Sequence, residues 1–230
     1  MMMQARVVSI TPLTNSILQL ILKPDVYIDY QAGQYLQIIY QNEAFSYSIA
    51  NAPLGSHQYE LHIRHTKDNP YNQPLFAEIK RLGVVTIQLP MGECNVSRLH
   101  PDKPILFIAG GTGFAPIKAM VEQLLADGES RPLELFWSAR SQSDLYMDDK
   151  VLYWQSHLQH FSYFSLLSEN NPMSLADRVL EQHALDLKHW QIVIAGPFDM
   201  AYSLRDTLTA HGVLPENMFS DAFTVNNEEF

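Results

Sequence analysis

The chain has 230 residues, of which 47% are hydrophobic, and this is enough to build two compact domains with buried cores. Its 15 lysines and arginines are outnumbered by 25 aspartates and glutamates, which gives a formal net charge of -10. This balance argues against sequence-independent binding to nucleic acid or to an anionic membrane surface. The single cysteine, Cys94, excludes an internal disulfide and any multi-cysteine zinc or iron–sulfur site.

The chain also lacks the signals of membrane insertion or export. No apolar run approaches the roughly 18 residues that a membrane-spanning helix needs. The first residues have no apolar core of signal-peptide length. We therefore expect a soluble, cytoplasmic protein with no membrane insertion.

The first hundred residues predict a small antiparallel β-barrel. Short β-rich runs separated by turn-forming residues are typical of this class. The runs cover residues 6–10, 17–22, 35–40, 45–50, 59–65 and 84–89. Apolar residues at helical spacing predict one helix over residues 74–82. A polar, proline-flanked segment at 97–104 then indicates a boundary, so we place this domain at residues 1–99.

The remainder of the chain predicts an α/β domain at residues 104–230. Apolar runs alternate with helix-like stretches, a pattern typical of a parallel sheet with helices on both faces. The predicted strands cover residues 105–109, 133–137, 163–167 and 191–195.

A glycine-rich turn follows the first of these strands. It reads Gly110-Gly111-Thr112-Gly113-Phe114-Ala115-Pro116, and an amphipathic helix follows. Glycines let the backbone approach a phosphate, while the free N–H groups and dipole of the helix N-terminus attract it. A tight turn with no ligand is the alternative, but the strand–turn–helix context favours phosphate binding.

The second strand of this domain ends in a serine and an arginine. A dinucleotide fold that prefers NADH usually has an acidic residue there, to hold the ribose 2′-hydroxyl. Ser138 and Arg140 would instead accept a 2′-phosphate, which indicates NADPH as a usable cofactor. A solvated arginine at a strand end is the equally open alternative.

These motifs together resemble those of the ferredoxin–NADP reductase superfamily, and most closely the compact bacterial NAD(P)H:flavin reductases. The matching segments, in chain order, are Ala32-Gly33-Gln34-Tyr35, Phe45-Ser46-Tyr47-Ser48, the glycine turn, Ala195-Gly196-Pro197-Phe198-Asp199-Met200 and Met218-Phe219-Ser220-Asp221-Ala222-Phe223. The resemblance implies an N-terminal flavin-binding antiparallel β-barrel and a C-terminal nicotinamide-binding α/β domain with a parallel sheet. It implies FAD or FMN, and NADH or NADPH, as cofactors.

The resemblance also assigns roles to individual residues. Tyr47 would pack on the isoalloxazine ring and Ser48 would lie near flavin N5, with Asp221 as the terminal acid of the catalytic set. Phe223 would shield the flavin. The expected contacts of the nicotinamide nucleotide are Gly110, Gly111, Thr112, Gly113, Pro116, Arg140, Gly196, Pro197 and Met200.

The chain departs from the family at two positions. Phe45 replaces the arginine that normally neutralises a flavin phosphate, so a charge-assisted contact is lost. Arg64, which follows Ile63 on a predicted strand, would substitute for this arginine. Ile63 and Arg64 are therefore both expected at the flavin site. Ala195 replaces a cysteine beside the nicotinamide.

Structural roles are predicted for the histidines and for the cysteine. His157 and His160 are predicted to share a helix face, and His62 and His65 to point to opposite sides of a strand. Neither pair has an acidic or cysteine ligand at the spacing of a metal site, so no metal is expected. Cys94 is predicted to be a partly buried structural thiol.

The sequence thus favours an NAD(P)H-dependent flavin oxidoreductase in which hydride passes to flavin N5. Free flavin is the expected acceptor. One alternative is a reductase subunit that passes electrons to a ferredoxin-like or oxygenase partner. The other is a non-catalytic nucleotide-binding module, which the loss of the flavin-motif arginine would explain.

Overall fold

The computed structural model describes residues 1–65, 72–169 and 173–224, which form two sheets in succession along the chain. The N-terminal sheet has six strands and the C-terminal sheet has five. The strands are β1 (Met2–Pro12), β2 (Ile17–Pro24), β3 (Tyr35–Tyr40), β4 (Glu43–Ser48), β5 (Tyr59–Arg64), β6 (Val84–Met91), β7 (Ile105–Gly110), β8 (Leu133–Ala139), β9 (Phe161–Leu167), β10 (Gln191–Ala195) and β11 (Met218–Phe219). The helices are α1 (Asn72–Leu82), α2 (Phe114–Ala126), α3 (Asp148–His157), α4 (Leu175–Gln182) and α5 (Phe198–Ala210).

The N-terminal sheet is antiparallel, with the strand order β4-β3-β6-β1-β2-β5. An isolated bridge between Ile49 and Leu61 joins the chain after β4 to β5, so the two edge strands of the sheet approach each other. Alternate residues of β2 and β3 point into one apolar core, as the period of a strand dictates. The predicted antiparallel barrel is confirmed.

The C-terminal sheet is parallel, with the order β11-β10-β7-β8-β9. Every residue of β7 is buried, because apolar clusters cover both faces of the sheet. Helices α2 and α3 pack on one face, and α4 and α5 pack on the other. The predicted α/β domain is confirmed. The two-residue strand β11 carries too little periodicity to be read from sequence.

One local prediction is wrong. His157 is the last residue of α3, whereas His160 lies in the turn before β9, so the two do not share a helix face. His62 is buried in β5, while His65 lies just after that strand. Among the described residues, no group of three or more His, Cys, Asp or Glu side chains is arranged to hold a metal ion. No helix in the described parts of the chain is both long and apolar enough to cross a membrane.

Candidate active site

A cleft between the two domains contains two adjoining cavities. The outer cavity, of about 670 Å³, runs along the glycine turn. The inner cavity, of about 490 Å³, lies between β3 and β4 on one side and α2 and β10 on the other. The residues that line both cavities are Ser46, Tyr47, Ser48, Pro116, Ala195 and Gly196.

Most of the predicted site residues line this cleft. Those at the outer cavity are Tyr47, Ser48, Arg64, Gly110, Gly111, Thr112, Gly113, Pro116, Arg140, Gly196, Pro197 and Met200. Asp221 lines the inner cavity. The structure therefore brings residues from both domains, and from both ends of the chain, to one place.

Ile63 and Phe223 lie outside both linings. The Ile63 side chain is in the barrel core, 1% exposed. Phe223 packs against α5, with its ring 5.8 Å from that of Tyr202 and 5.5 Å from the guanidinium carbon of Arg205. Their contact with a cofactor stays a prediction.

The glycine turn is fixed by contacts that exclude larger residues. A β-carbon at Gly113 would lie 2.0 Å from the carbonyl oxygen of Ala195, so only glycine allows the start of α2 to approach the end of β10 in this way. Trp137 Nε1 donates a hydrogen bond to the carbonyl of Gly111 at 3.0 Å. The Trp137 ring also stacks on Phe114, with centroids 4.1 Å apart. The turn is thereby held rigid at the start of α2, where free N–H groups favour an anion.

Met200 shapes the wall that faces this turn. A β-carbon at Gly110 would lie 2.6 Å from Met200 Sδ, and one at Gly196 would lie 2.6 Å from Met200 Cε. The small residues therefore leave room for the methionine, which closes the floor between β7 and β10. Ala195 and Gly196, which lie beside this methionine, line both cavities.

Tyr47 and Ser48 lie at the end of β4, where Ser48 pairs with Tyr35 and Tyr47 pairs with Leu36. Both residues line both cavities. Burial raises the pKa of Tyr47 to about 12, so its hydroxyl stays protonated. A phenol ring and a neutral hydroxyl are suited to stacking on a planar ligand and hydrogen-bonding to it.

Asp221 is held by the backbone of the segment that follows β6. Its Oδ1 accepts hydrogen bonds from the amides of Glu93 at 2.9 Å and Cys94 at 3.0 Å. Burial raises the pKa of Asp221, although these two amides stabilise its charged form. Cys94 itself is buried, and burial raises the pKa of its thiol, which fits the predicted structural role.

Two arginines lie at the outer cavity. A β-carbon at Gly111 would be 3.7 Å from Arg64 Nη2, so the barrel domain extends a cation to the glycine turn. Arg140 Nε lies 3.2 Å from Glu169 Oε1, and the Arg140 side chain is 80% exposed. Arg140 thus lines the cavity beside Ser138, while most of its side chain is exposed to solvent.

The inner cavity differs from the outer one in charge. Its lining includes Asp221 but, among the described residues, no lysine, arginine or histidine. Tyr35 and Gln37 on β3 also line it and were missed by sequence reasoning. The period-2 alternation of β3, which places both on one face, is the signal that would have found them.

Part of the chain is similar in sequence to a known family. Residues 107–206 match the family described as the oxidoreductase NAD-binding domain. The matched segment includes Gly110 to Gly113, Arg140, Gly196, Pro197 and Met200, all of which line the outer cavity.

Relatives extend the similarity into the barrel. A protein of Yersinia pestis named CDP-6-deoxy-L-threo-D-glycero-4-hexulose-3-dehydrase reductase is 33% identical over 213 residues, which cover 90% of this chain and 64% of that protein. An NAD(P)H-flavin reductase of Vibrio harveyi is 28% identical over 97% of this chain and 99% of its own. Reductase component 1 of terephthalate 1,2-dioxygenase from Comamonas sp. is 31% identical over 86% of this chain and 60% of its own. The chain therefore spans under two thirds of the Yersinia and Comamonas proteins.

Solved structures share the two-domain fold. The ferredoxin reductase in carbazole 1,9a-dioxygenase superimposes with a TM-score of 0.80 at 22% identity, over 97% of this chain and 69% of that one. A ferredoxin NADP+ reductase from Neisseria gonorrhoeae with bound FAD and NADP gives 0.78 at 17% identity, over 92% of each chain. The fold is ferredoxin reductase-like, and the resemblance seen in the motifs is confirmed.

Proposed function

We propose that this protein is an NAD(P)H-dependent flavin reductase in which hydride passes from the reduced nicotinamide to flavin N5. In the balanced reaction, NAD(P)H, a proton and oxidised flavin give NAD(P)⁺ and the reduced flavin. One observation carries the proposal: the two cavities meet at Tyr47, Ser48, Ala195 and Gly196. Two ring systems bound in the two cavities would touch there, which is what direct hydride transfer requires.

The outer cavity suits the nicotinamide nucleotide. The amides at the start of α2 would hold its pyrophosphate. Ser138 and Arg140 lie at the same cavity and suit the ribose end, where a 2′-phosphate distinguishes NADPH from NADH. The nicotinamide would then reach Gly196 and Met200.

The inner cavity suits the flavin ring, with Tyr47, Ser48 and Asp221 as the catalytic set. Tyr47 would stack on the ring, Ser48 would donate near N5, and Asp221 would position the segment that closes the cavity. This chain's residues bind and orient, while the flavin supplies the redox chemistry.

Free flavin is the acceptor that the charge of the inner cavity favours. The inner cavity has no cationic side chain among its described lining residues, and Phe45 occupies the position of the usual arginine. A flavin bound through its ring, without a strong phosphate contact, dissociates more readily and can serve as a substrate. The flavin reductases of Vibrio harveyi, similar over nearly the whole chain, support this choice.

A reductase that passes electrons to a protein partner is the second candidate. The similarity to reductase components of terephthalate dioxygenase favours it. Turnover that needs a ferredoxin-like or oxygenase partner, and that is absent with free flavin, would distinguish it. A non-catalytic module is disfavoured by the intact glycine turn and by the Tyr47–Ser48 pair in the cleft.

The proposal is tested by steady-state kinetics of Ser48→Ala with NADPH, NADH and free flavins. We expect kcat to fall by about tenfold or more, with little change in the KM for the nucleotide, because the hydroxyl acts near the reacting atoms. Ser156→Ala, on the exposed face of α3, is the matched control. Wild-type protein that oxidises neither nucleotide with any flavin would contradict the proposal.

A further inference from the structure

Lys118 is a buried cation that joins the two domains. It lies in α2, the helix that begins at the glycine turn, and is only 4% exposed. Its ammonium donates to the carbonyl of Ala50 at 2.8 Å, to Glu60 Oε2 at 3.3 Å and to Glu122 Oε2 at 3.2 Å. All three of its N–H groups are thus used, two of them across the domain boundary.

The position of Ala50 gives this contact its significance. Ala50 follows Ser48 by two residues, and its amide donates to the carbonyl of Glu60 at 2.7 Å. Lys118 therefore ties the chain just beyond the Tyr47–Ser48 pair to the helix that carries the glycine turn. This hydrogen bond is a direct contact between the two sides of the cleft.

Glu60 connects Lys118 to a second cross-domain contact. Its Oε1 accepts hydrogen bonds from Gln19 at 2.7 Å and from His62 at 2.8 Å, and the other ring nitrogen of His62 lies 3.0 Å from the hydroxyl of Tyr146. Burial alone would raise the pKa of Glu60, but the hydrogen bond with His62 and the charge of Lys118 lower it to about 2. Burial lowers the pKa of His62, so a neutral imidazole donates to Glu60 and accepts from Tyr146.

The charges in this network balance. Glu122 also pairs with Lys150 of α3 at 2.9 Å, so two ammonium groups face two carboxylates around a neutral histidine. Tyr146 in turn packs edge-on against Trp137, which holds the carbonyl of Gly111. The network therefore connects β5 of the barrel to the glycine turn by two separate routes.

We propose that Lys118 is a positioning residue for hydride transfer, which sets the gap between the Tyr47–Ser48 pair and the glycine turn. The inference rests on the proposed function. Lys118 lines neither cavity, so it acts through Ala50 and Glu60 and not by contact with a ligand. Because a misplacement of about 1 Å can cost about 10²-fold in rate, its loss should slow transfer more than it weakens binding.

The test compares Lys118→Met, Lys118→Arg and Lys150→Met in the full chain. Separate dissociation constants for FMN and NADP⁺ are measured by fluorescence titration, and kcat is measured with saturating NADPH and FMN. For Lys118→Met we expect each dissociation constant to change less than about threefold while kcat falls about tenfold or more. Lys118→Arg, which keeps the charge and the donors, should recover part of the rate. Lys150→Met, which loses a pair with the same Glu122 but no cross-domain bond, should retain the wild-type rate.

Hydrogen–deuterium exchange supplies a readout that needs no turnover. Lys118→Met should raise exchange in segments 47–52 and 110–116, one on each side of the cleft, whereas Lys150→Met should not. If Lys118→Met does not fold, the double variant Lys118→Met/Glu60→Gln takes its place. It also removes the negative charge of Glu60, which the loss of Lys118 would leave buried without a cation beside it. Unchanged kcat in a folded variant, or a parallel loss of kcat and both affinities, would overturn the inference. If the wild-type protein does not reduce flavin, the proposed function is wrong. The exchange result alone then shows whether Lys118 holds the two sides of the cleft together.

Discussion

The indole nitrogen of Trp137 donates to the carbonyl of Gly111 at 3.0 Å, so a buried side chain at the end of β8 fixes the turn that follows β7. The contact satisfies this carbonyl within the protein and fixes the orientation of the peptide group that joins Gly111 to Thr112. The glycine turn is thus preorganised by the packing of the sheet beneath it.

Replacing this tryptophan should weaken nucleotide binding. Trp137→Phe removes a hydrogen bond whose net contribution is about 0.5–1.5 kcal/mol, and it leaves a void under the turn. We expect the dissociation constant for NADP⁺ to rise by about three- to tenfold. Trp154→Phe, which truncates a buried indole of α3, is the control and should cost stability without this loss of affinity. Equal affinities in the two variants would contradict the role of the contact.

Two glycine substitutions should differ in severity. In Gly113→Ala the new methyl meets the backbone carbonyl of Ala195 at 2.0 Å, and backbone of a central strand cannot yield. In Gly110→Ala it meets the flexible end of Met200 at 2.6 Å, which can move. We expect Gly113→Ala to abolish nucleotide binding or folding, and Gly110→Ala to retain the fold with reduced activity. Thermal melting and NADP⁺ titration measure both, and the reverse order would contradict the geometry.

Arg64 should discriminate among flavins by their phosphates. If its guanidinium replaces the missing arginine of the flavin motif, Arg64→Ala lowers FMN affinity by about tenfold, the size of one charge-assisted hydrogen bond. Riboflavin, which has no phosphate, should bind the variant as it binds the wild type. Arg98→Ala, an exposed arginine beyond β6, is the control. Unchanged FMN affinity in Arg64→Ala would remove Arg64 from the flavin site.

The pair formed by Arg140 and Glu169 should set nucleotide preference. Arg140→Ala should lower kcat/KM for NADPH and leave that for NADH nearly unchanged, because only NADPH carries the 2′-phosphate. Glu169→Gln should have the opposite effect on NADPH, since it removes the carboxylate 3.2 Å from Arg140 Nε. The ratio of the two kcat/KM values measures this directly. A ratio that neither substitution alters would identify Arg140 as a solvated strand-end residue.

His183 should make stability depend on pH. Its ring nitrogens lie 2.9 Å from Glu134 and 3.1 Å from Asp186. Burial opposes protonation, but the hydrogen bonds and charges of these carboxylates prevail and raise the pKa of His183 above 6.5. A raised folded-state pKa means that the stabilisation is complete below about pH 6.5 and is lost as the pH rises through the folded value.

The expected consequence is a melting difference confined to low pH. His183→Gln should melt about 2 °C or more below the wild type near pH 5.5, and the difference should shrink toward pH 9. His211→Gln, at an exposed histidine after α5, should show no such trend. A difference that grows with rising pH would contradict the assignment.

Much of this architecture can be read from the sequence. Strands such as β7 and β10 are buried on both faces and therefore appear as continuous apolar runs. The glycine turn is identified by its context, because a strand precedes it and a helix follows. These features depend on residues close together in the chain, and local patterns report them well.

The parts that could not be predicted depend on distant residues. Lys118 appears in the sequence as an ordinary helical lysine, since its partners Ala50 and Glu60 are 68 and 58 positions away. The motif that contains Phe223 likewise gives no sign that its ring packs on Tyr202 of α5. Only the folded arrangement determines which residues face a cavity that lies between two domains.

Anaerobic stopped-flow absorbance of the purified protein with NADPH or NADH, with and without added FMN, FAD or riboflavin, tests the central claim most directly. The account predicts that the oxidised flavin band near about 450 nm bleaches on mixing, and that bleaching depends on added flavin. A protein that bleaches without added flavin would show a retained flavin and favour the reductase of a protein partner. No bleaching with any pair of nucleotide and flavin would contradict hydride transfer in this cleft.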